Sequence, residues 1–234
     1  MSFKKFKVLT FDVVGTLIDF ETGVVEAVRR IGGEAARKLS DDEIYAPYLR
    51  GREQHNGRSS AVFAHVYRHM AKELGLSVSD QAAEAFQVSV LRWPAFPDST
   101  VALARLRRRF RLVAMTNADR SAFSFYSHTL GNPFHDSVTM DEAECAKPDP
   151  LFFAYNRGRQ AAHGFKKEEI LHTAQSQYHD IEVAKSLGYT TCWIERRQGQ
   201  KGFGATPAVA KPTTPDYHFA TLAAFADAVD AELG

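Results

Sequence analysis

Cysteine is nearly absent: Cys145 and Cys192 are the only two in 234 residues. Two thiols cannot make a disulfide framework, so a small stapled scaffold is excluded and a reducing cytoplasm is the expected setting. No apolar run approaches the roughly 20 residues of a membrane-spanning helix, and the leading Met-Ser-Phe-Lys-Lys-Phe-Lys has no signal-peptide cleavage pattern. An excess of one charge sign is also missing. Lys and Arg total 29 against 28 Asp and Glu, so neither nucleic acid nor an anionic membrane is an expected partner. A small molecule is. The chain does have apolar residues at 44% and charged ones at 24%, enough for a substantial core in one large domain or in a domain carrying an insertion.

Residues 7–12 (KVLTFD) read as a strand that ends in a carboxylate followed by the turn Val-Val-Gly-Thr. Four later runs behave alike, at 111–116, 137–140, 170–174 and 190–194, with helical patterns around 121–130, 150–162 and 181–187. Strands that are apolar throughout and alternate with helices indicate a parallel sheet covered on both faces, a doubly wound α/β class. One segment departs from this. Residues 20–93 hold only helical candidates, at 23–31, 41–54, 60–74 and 79–91, punctuated by glycines. The expected organisation is therefore a core of residues 1–19 and 94–234 with a helical insertion at 20–93. Pro94 and Pro97 suit a return linker, and Asp98 is placed to cap the next helix. The basic run Arg105, Arg107, Arg108, Arg109 reads as a solvated helix face.

Chemistry in an open parallel sheet collects beyond the carboxyl ends of the strands. The polar residues expected there are Asp12 and Thr16, Thr116 and Asn117, Lys147, and Ser176 and Asp180. A nucleophilic carboxylate must be ionised, and an ammonium such as that of Lys147 lowers its pKa and orients it. Hydroxyls of Thr16 and Thr116 suit its second oxygen or a substrate carboxylate. Attack on carbon would leave an ester on Asp12, and Asp180 is the candidate to activate the water that cleaves it.

The series Asp12-Val13-Val14-Gly15-Thr16, Thr116-Asn117, Lys147-Pro148 and Gln175 through Asp180 resembles the haloacid dehalogenase superfamily over nearly the whole chain. That resemblance implies a Rossmann-like core, a helical cap and an aspartyl nucleophile at Asp12. Phosphatases of the superfamily carry a general-acid Asp two residues after the nucleophile and a magnesium-binding Asp four residues before the position of Asp180. Here those positions hold Val14 and Ser176, so an acid-dependent leaving group is disfavoured, and no metal or other cofactor is expected. The L-2-haloacid dehalogenase-like branch lacks both carboxylates, since a halide leaves without a proton. Against that branch Phe153 replaces a tyrosine, and Gln175 and Gln177 replace a serine and an asparagine. Its cap arginine corresponds to either Arg50 or Arg52. Phe20, Phe153 and Tyr178 could face an ammonium by cation-π contact, which fits the branch's L-azetidine-2-carboxylate hydrolase. His179 reads as structural or catalytic. The leading expectation is a metal-independent hydrolase displacing a group at C2 of a small carboxylic acid, with Val14, Asn117, Phe20, Arg50, Arg52, Phe153, Gln175, Gln177 and Tyr178 around the substrate. Ring opening of azetidine-2-carboxylate, phosphate ester hydrolysis and a silent binding protein stay open beside it, as does a homodimer.

Overall fold

A computed structural model describes residues 2–55, 57, 60–200 and 205–234. Six strands, β1 (Val8–Phe11), β2 (Arg111–Thr116), β3 (Asp136–Thr139), β4 (Ile170–Ala174), β5 (Thr190–Ile194) and β6 (Tyr217–Phe219), form one sheet in the order β3-β2-β1-β4-β5-β6. Every adjacent pair is parallel. β1 and β4 are buried along their whole length, as expected of central strands covered on both faces. Side chains alternate across the sheet. Leu9, Phe11, Leu112, Ala114 and Leu171 join one apolar cluster, while Val8, Val113, Met115, Val138 and Ile170 join another with Phe152 and Phe153.

Helices α1 (Phe20–Arg37, kinked at Gly33), α2 (Asp41–Gln54), α3 (Val62–Leu74) and α4 (Asp80–Val90) follow β1 without an intervening strand. Their starts are written in the sequence. Asp19, Ser40 and Ser79 cap α1, α2 and α4, and Ser40 with Glu43 completes a capping box. The four pack on one another through α1 with α2 and α4, and α3 with α2 and α4. The chain enters and leaves this helical segment at adjacent points, because Ile18 pairs with Ala95 and the Asp19 amide donates to the Pro94 carbonyl at 2.8 Å.

The remaining helices are α5 (Ser99–Leu106), α6 (Arg120–Thr129), α7 (Met140–Ala143), α8 (Pro150–Ala162), α9 (Glu182–Ser186) and α10 (Leu222–Leu233). Two expectations change here. Asp98 makes no side-chain cap on α5; its carboxylate instead accepts from Arg196 Nη1 and from the Ala223 amide at the start of α10. Of the basic run, Arg107, Arg108 and Arg109 are exposed as expected, whereas Arg105 is half-buried and pairs with Asp227 and Asp230 of α10. Both corrections have one cause: β6 and α10 close the sheet edge beside α5, and the sequence reading had placed no element there.

Candidate active site

Asp12 follows β1, and its amide continues the sheet ladder by donating to the Thr173 carbonyl at 3.1 Å. The loop then folds back on itself. Gly15 adopts φ +95°, a conformation that favours glycine, and its amide donates to the Ile18 carbonyl at 2.8 Å. This turn brings Thr16 Oγ1 within 2.7 Å of Asp12 Oδ2, where it donates, while the same oxygen accepts from the Gln175 amide at 2.8 Å. Arg196 fixes the turn from the far side, its Nε donating to the Thr16 carbonyl at 2.9 Å.

Lys147 supplies the charge. Its Nζ lies 2.8 Å from Asp12 Oδ1 and 2.6 Å from Asp180 Oδ1, and all three residues are buried. Two carboxylates therefore share one ammonium. Burial raises the Asp12 carboxyl above its ordinary value against the pull of Lys147. Asp180 is also penalised by burial, but Lys147 and His172 outweigh this and bring it down to about 2. Burial disfavours the ammonium of Lys147, but the two carboxylates raise it overall.

The other expected residues have distinct places. Asn117 does not face a substrate with its amide: its Oδ1 accepts from the Lys147 amide and its Nδ2 donates to the Lys147 carbonyl, both at 2.8 Å. It fixes the lysine's main chain. The Thr116 hydroxyl accepts from the Ala118 amide at 3.1 Å and so closes the turn after β2. Ser176 Oγ accepts from the His179 amide at 3.0 Å and caps the π-type turn 177–181 that carries Asp180. Gln177 Oε1 accepts from the Thr213 amide at 2.9 Å. Each of these side chains has at least one bond to backbone, while Ser176 Oγ also lies 3.2 Å from His179 Nδ1 and Gln177 Nε2 is buried without a partner among the described residues.

Phe153 is a clearer correction. It is 1% exposed, with its ring edge-on to His172 at 5.2 Å and tilted against Tyr189, so it packs in the core. Arg50 is also removed from the site, because it is exposed and paired with Glu73 on the helical segment. Arg52 is the better placed of the two arginines. Half-buried, with its guanidinium 4.7 Å from the Phe63 ring centre, its charge acts on Tyr48, Tyr126 and His179. Tyr178 is 42% exposed and its ring meets only the edge of His179 among the ring contacts of the described residues.

A cleft of about 240 Å³ opens beside the turn that follows Asp12 and is lined by Gly15, Asp19, Phe20, Tyr45, Phe96 and Gln175 among others. Asp12 is not on its wall. Phe20 forms the boundary, lying against Tyr48 and Trp93 at 6.2 and 6.0 Å. Val14, half-buried, packs on the core.

These donors suit a divalent cation poorly. Val14 has none, Ser176 Oγ is engaged, and Asp12 and Asp180 already share the lysine. Among the described residues, no group of three or more His, Cys, Asp or Glu stands together as metal ligands.

Two residues at the site escaped the sequence reading. Arg196 follows the end of β5, a position at which polar residues deserve weight in a parallel sheet. His172 lies inside β4, and only the pairing of β1 with β4 reveals what it touches.

The model of the haloacid dehalogenase-like hydrolase family matches residues 6–188. Haloacetate dehalogenase H-2 of Moraxella sp. (strain B) is 28% identical over 200 residues, covering 82% of this chain and 87% of its own. The (S)-2-haloacid dehalogenase of Pseudomonas putida is 23% identical over 203 residues, covering 84% and 87%. The L-2-haloacid dehalogenase of Xanthobacter autotrophicus shares the fold at a TM-score of 0.72 and 17% identity, over 96% of this chain and 98% of that one. With its parallel sheet, its aspartate after β1 and its lysine between two carboxylates, the chain belongs to the haloacid dehalogenase-like hydrolases.

Proposed function

We propose that the protein is a metal-independent hydrolase of the (S)-2-haloacid dehalogenase type, acting on a small 2-substituted carboxylic acid in the cytoplasm. The observation that carries this reading is the setting of Asp12: held by Thr16 and Lys147, with Val14 and Ser176 where a general acid and a metal ligand would be needed for phosphate esters. In the first step a carboxylate oxygen of Asp12 attacks C2, the C2–halogen bond breaks, and the halide leaves with the electron pair. No proton is required, so Val14 costs nothing. In the second step water adds to Cγ of the aspartyl ester and gives its proton to Asp180. The bond from Cγ to the ester oxygen then breaks, that oxygen takes the proton back from Asp180, the new Cγ carboxyl releases water's second proton to solvent, and a 2-hydroxy acid leaves a regenerated carboxylate.

Residues 20–93 act as the cap. Phe20, Tyr48 and Trp93 bring an apolar ring cluster beside the nucleophile's turn, which excludes water during the first step. Arg52 supplies the cap's positive charge towards the substrate carboxylate. The test is a single turnover of (S)-2-chloropropionate in oxygen-18 water containing a chelator, with L-azetidine-2-carboxylate offered in parallel to read the leaving group. Solvent oxygen should enter Asp12, and the first product molecule should carry an old carboxylate oxygen. Asp12→Asn should be folded, unlabelled and slower by roughly 10³-fold or more. Solvent label in the first product, or a strict need for magnesium, would overturn the reading.

A further inference from the structure

A buried histidine takes part in the same network without touching Asp12. β1 and β4 pair with Thr10 directly opposite His172, on the sheet face that also carries Val8 and Ile170 and is covered by Phe153 of α8. Thr10 Oγ1 lies 2.9 Å from His172 Nδ1, and His172 Nε2 lies 3.0 Å from Asp180 Oδ1. His172 and Asp180 are fully buried. An ionised carboxylate can only accept, so the hydrogen of this bond resides on Nε2; in the neutral imidazole Nδ1 then accepts, and the threonine hydroxyl donates to it. The Asp180 carboxylate thus selects the tautomer, and the Thr10 hydroxyl satisfies the other ring nitrogen.

The consequence falls on Asp180. Its Oδ1 receives two donors from different elements, Lys147 Nζ from the loop before α8 and His172 Nε2 from β4. Its Oδ2 is buried and, among the described residues, accepts no hydrogen bond. Turning the carboxylate about Cβ–Cγ would break both bonds to Oδ1 at once. Phe153, edge-on to the imidazole, has no hydroxyl with which to replace the second donor.

We infer that His172, with its second ring nitrogen held by Thr10, is a positioning residue for ester hydrolysis: it locks Asp180 so that Oδ2 remains the oxygen that takes the proton of the attacking water. This rests on the proposed role of Asp180 as base. The inference separates the two half-reactions, because alkylation of Asp12 needs no base and hydrolysis does.

The test follows (S)-2-chloropropionate turnover with intact-protein mass spectrometry of the Asp12 ester. His172→Phe keeps the ring and loses the donor; it should lower kcat by about 10- to 100-fold, lower KM in step, and accumulate ester, with ester formation changed less than about threefold. His172→Gln, which returns an amide donor near the place of Nε2, should recover much of kcat and remove the ester. Equal loss in both half-reactions, or slowed turnover with no ester, would overturn the inference. A second measurement needs neither substrate nor a variant at position 172. Nitrogen-15 NMR of the wild-type imidazole should show the proton on Nε2 alone, with a shift in Asp180→Asn, whereas a proton on Nδ1 would overturn the lock. Failure of the wild type to turn over any 2-substituted acid would count against the proposed function, and the ring-nitrogen result would still decide the arrangement at Asp180.

Discussion

Asp12 and Asp180 are the same residue type on the same lysine, yet their surroundings divide the work. Burial holds the Asp12 carboxyl above its ordinary value, and Asp180 is drawn down to about 2 by Lys147 and His172. In the proposed ester Asp12 would carry no charge, so Lys147 and Asp180 would become a one-to-one pair and the repulsion between the carboxylates would disappear. Beside them His179 is lowered to about 4, chiefly by burial, from an ordinary 6.5. Above pH 6.5 it is neutral in folded and unfolded chains alike and contributes no pH dependence. As pH falls from 6.5 towards 4 the unfolded chain binds a proton that the folded chain refuses, so stability declines, and below 4 the loss is complete. The expected loss is on the order of 2–3 kcal/mol. Urea midpoints between pH 7.5 and 4 should therefore fall more steeply for the wild type than for His179→Gln, and parallel slopes would show that the burial of this ring has no such effect.

Among the elements, α1 is the most constrained by a single contact. A Cβ on Gly23 would lie 2.1 Å from Trp93 Cδ1, and Trp93 is held between Phe20, Phe63 and Tyr126, so it has little room to move. Gly23→Ala should cost about 1–3 kcal/mol through overpacking, measurable as a lower thermal midpoint, despite the alanine's better helix propensity. A stabilised variant would mean that the indole is free to shift. The same elements show what one sequence reveals. β2, β4 and β5 were legible to the residue, because parallel-sheet strands are short apolar runs bounded by turns. α2 and α8 were equally clear from their helical patterns. β6 was not: it is three residues long, with His218 exposed at its centre, and offers no hydrophobic pattern. α10 did leave a signal, Thr221 followed by Leu222, Phe225, Ala226 and Val229 at helical spacing, and missing it led to the misreading of Arg105 and Asp98. Asp12, Lys147 and Asp180 were readable because strand ends point to them. The roles of Asn117, Ser176 and His172 depend on which backbone atom or strand lies opposite, which spacing along one chain does not state.

At the scale of the molecule, strand order explains why the chemistry is found where it is. The connection from β1 runs to β2 and β3 on one side, and the chain then crosses to β4, β5 and β6 on the other. Loops leaving β1 and β4 therefore diverge above the sheet, and Asp12 and Asp180 stand at that division with Lys147 reaching between them. The adjoining entry and exit of residues 20–93 have a further result. Because Ile18 already bridges Ala95 and Asp19 already bonds Pro94, the rest of the chain meets four helices as though they were the tip of a hairpin. Loop-closure entropy for so long an excursion is offset locally by that two-stranded neck. Replacing residues 20–93 by a short glycine-rich turn should thus yield an independently folding sheet, with cooperative unfolding and native-like amide protection in β1, β2 and β4. A chain that fails to fold would mean that the helices are part of the sheet's own stability rather than a separable graft, and that the neck alone does not isolate the two folding units.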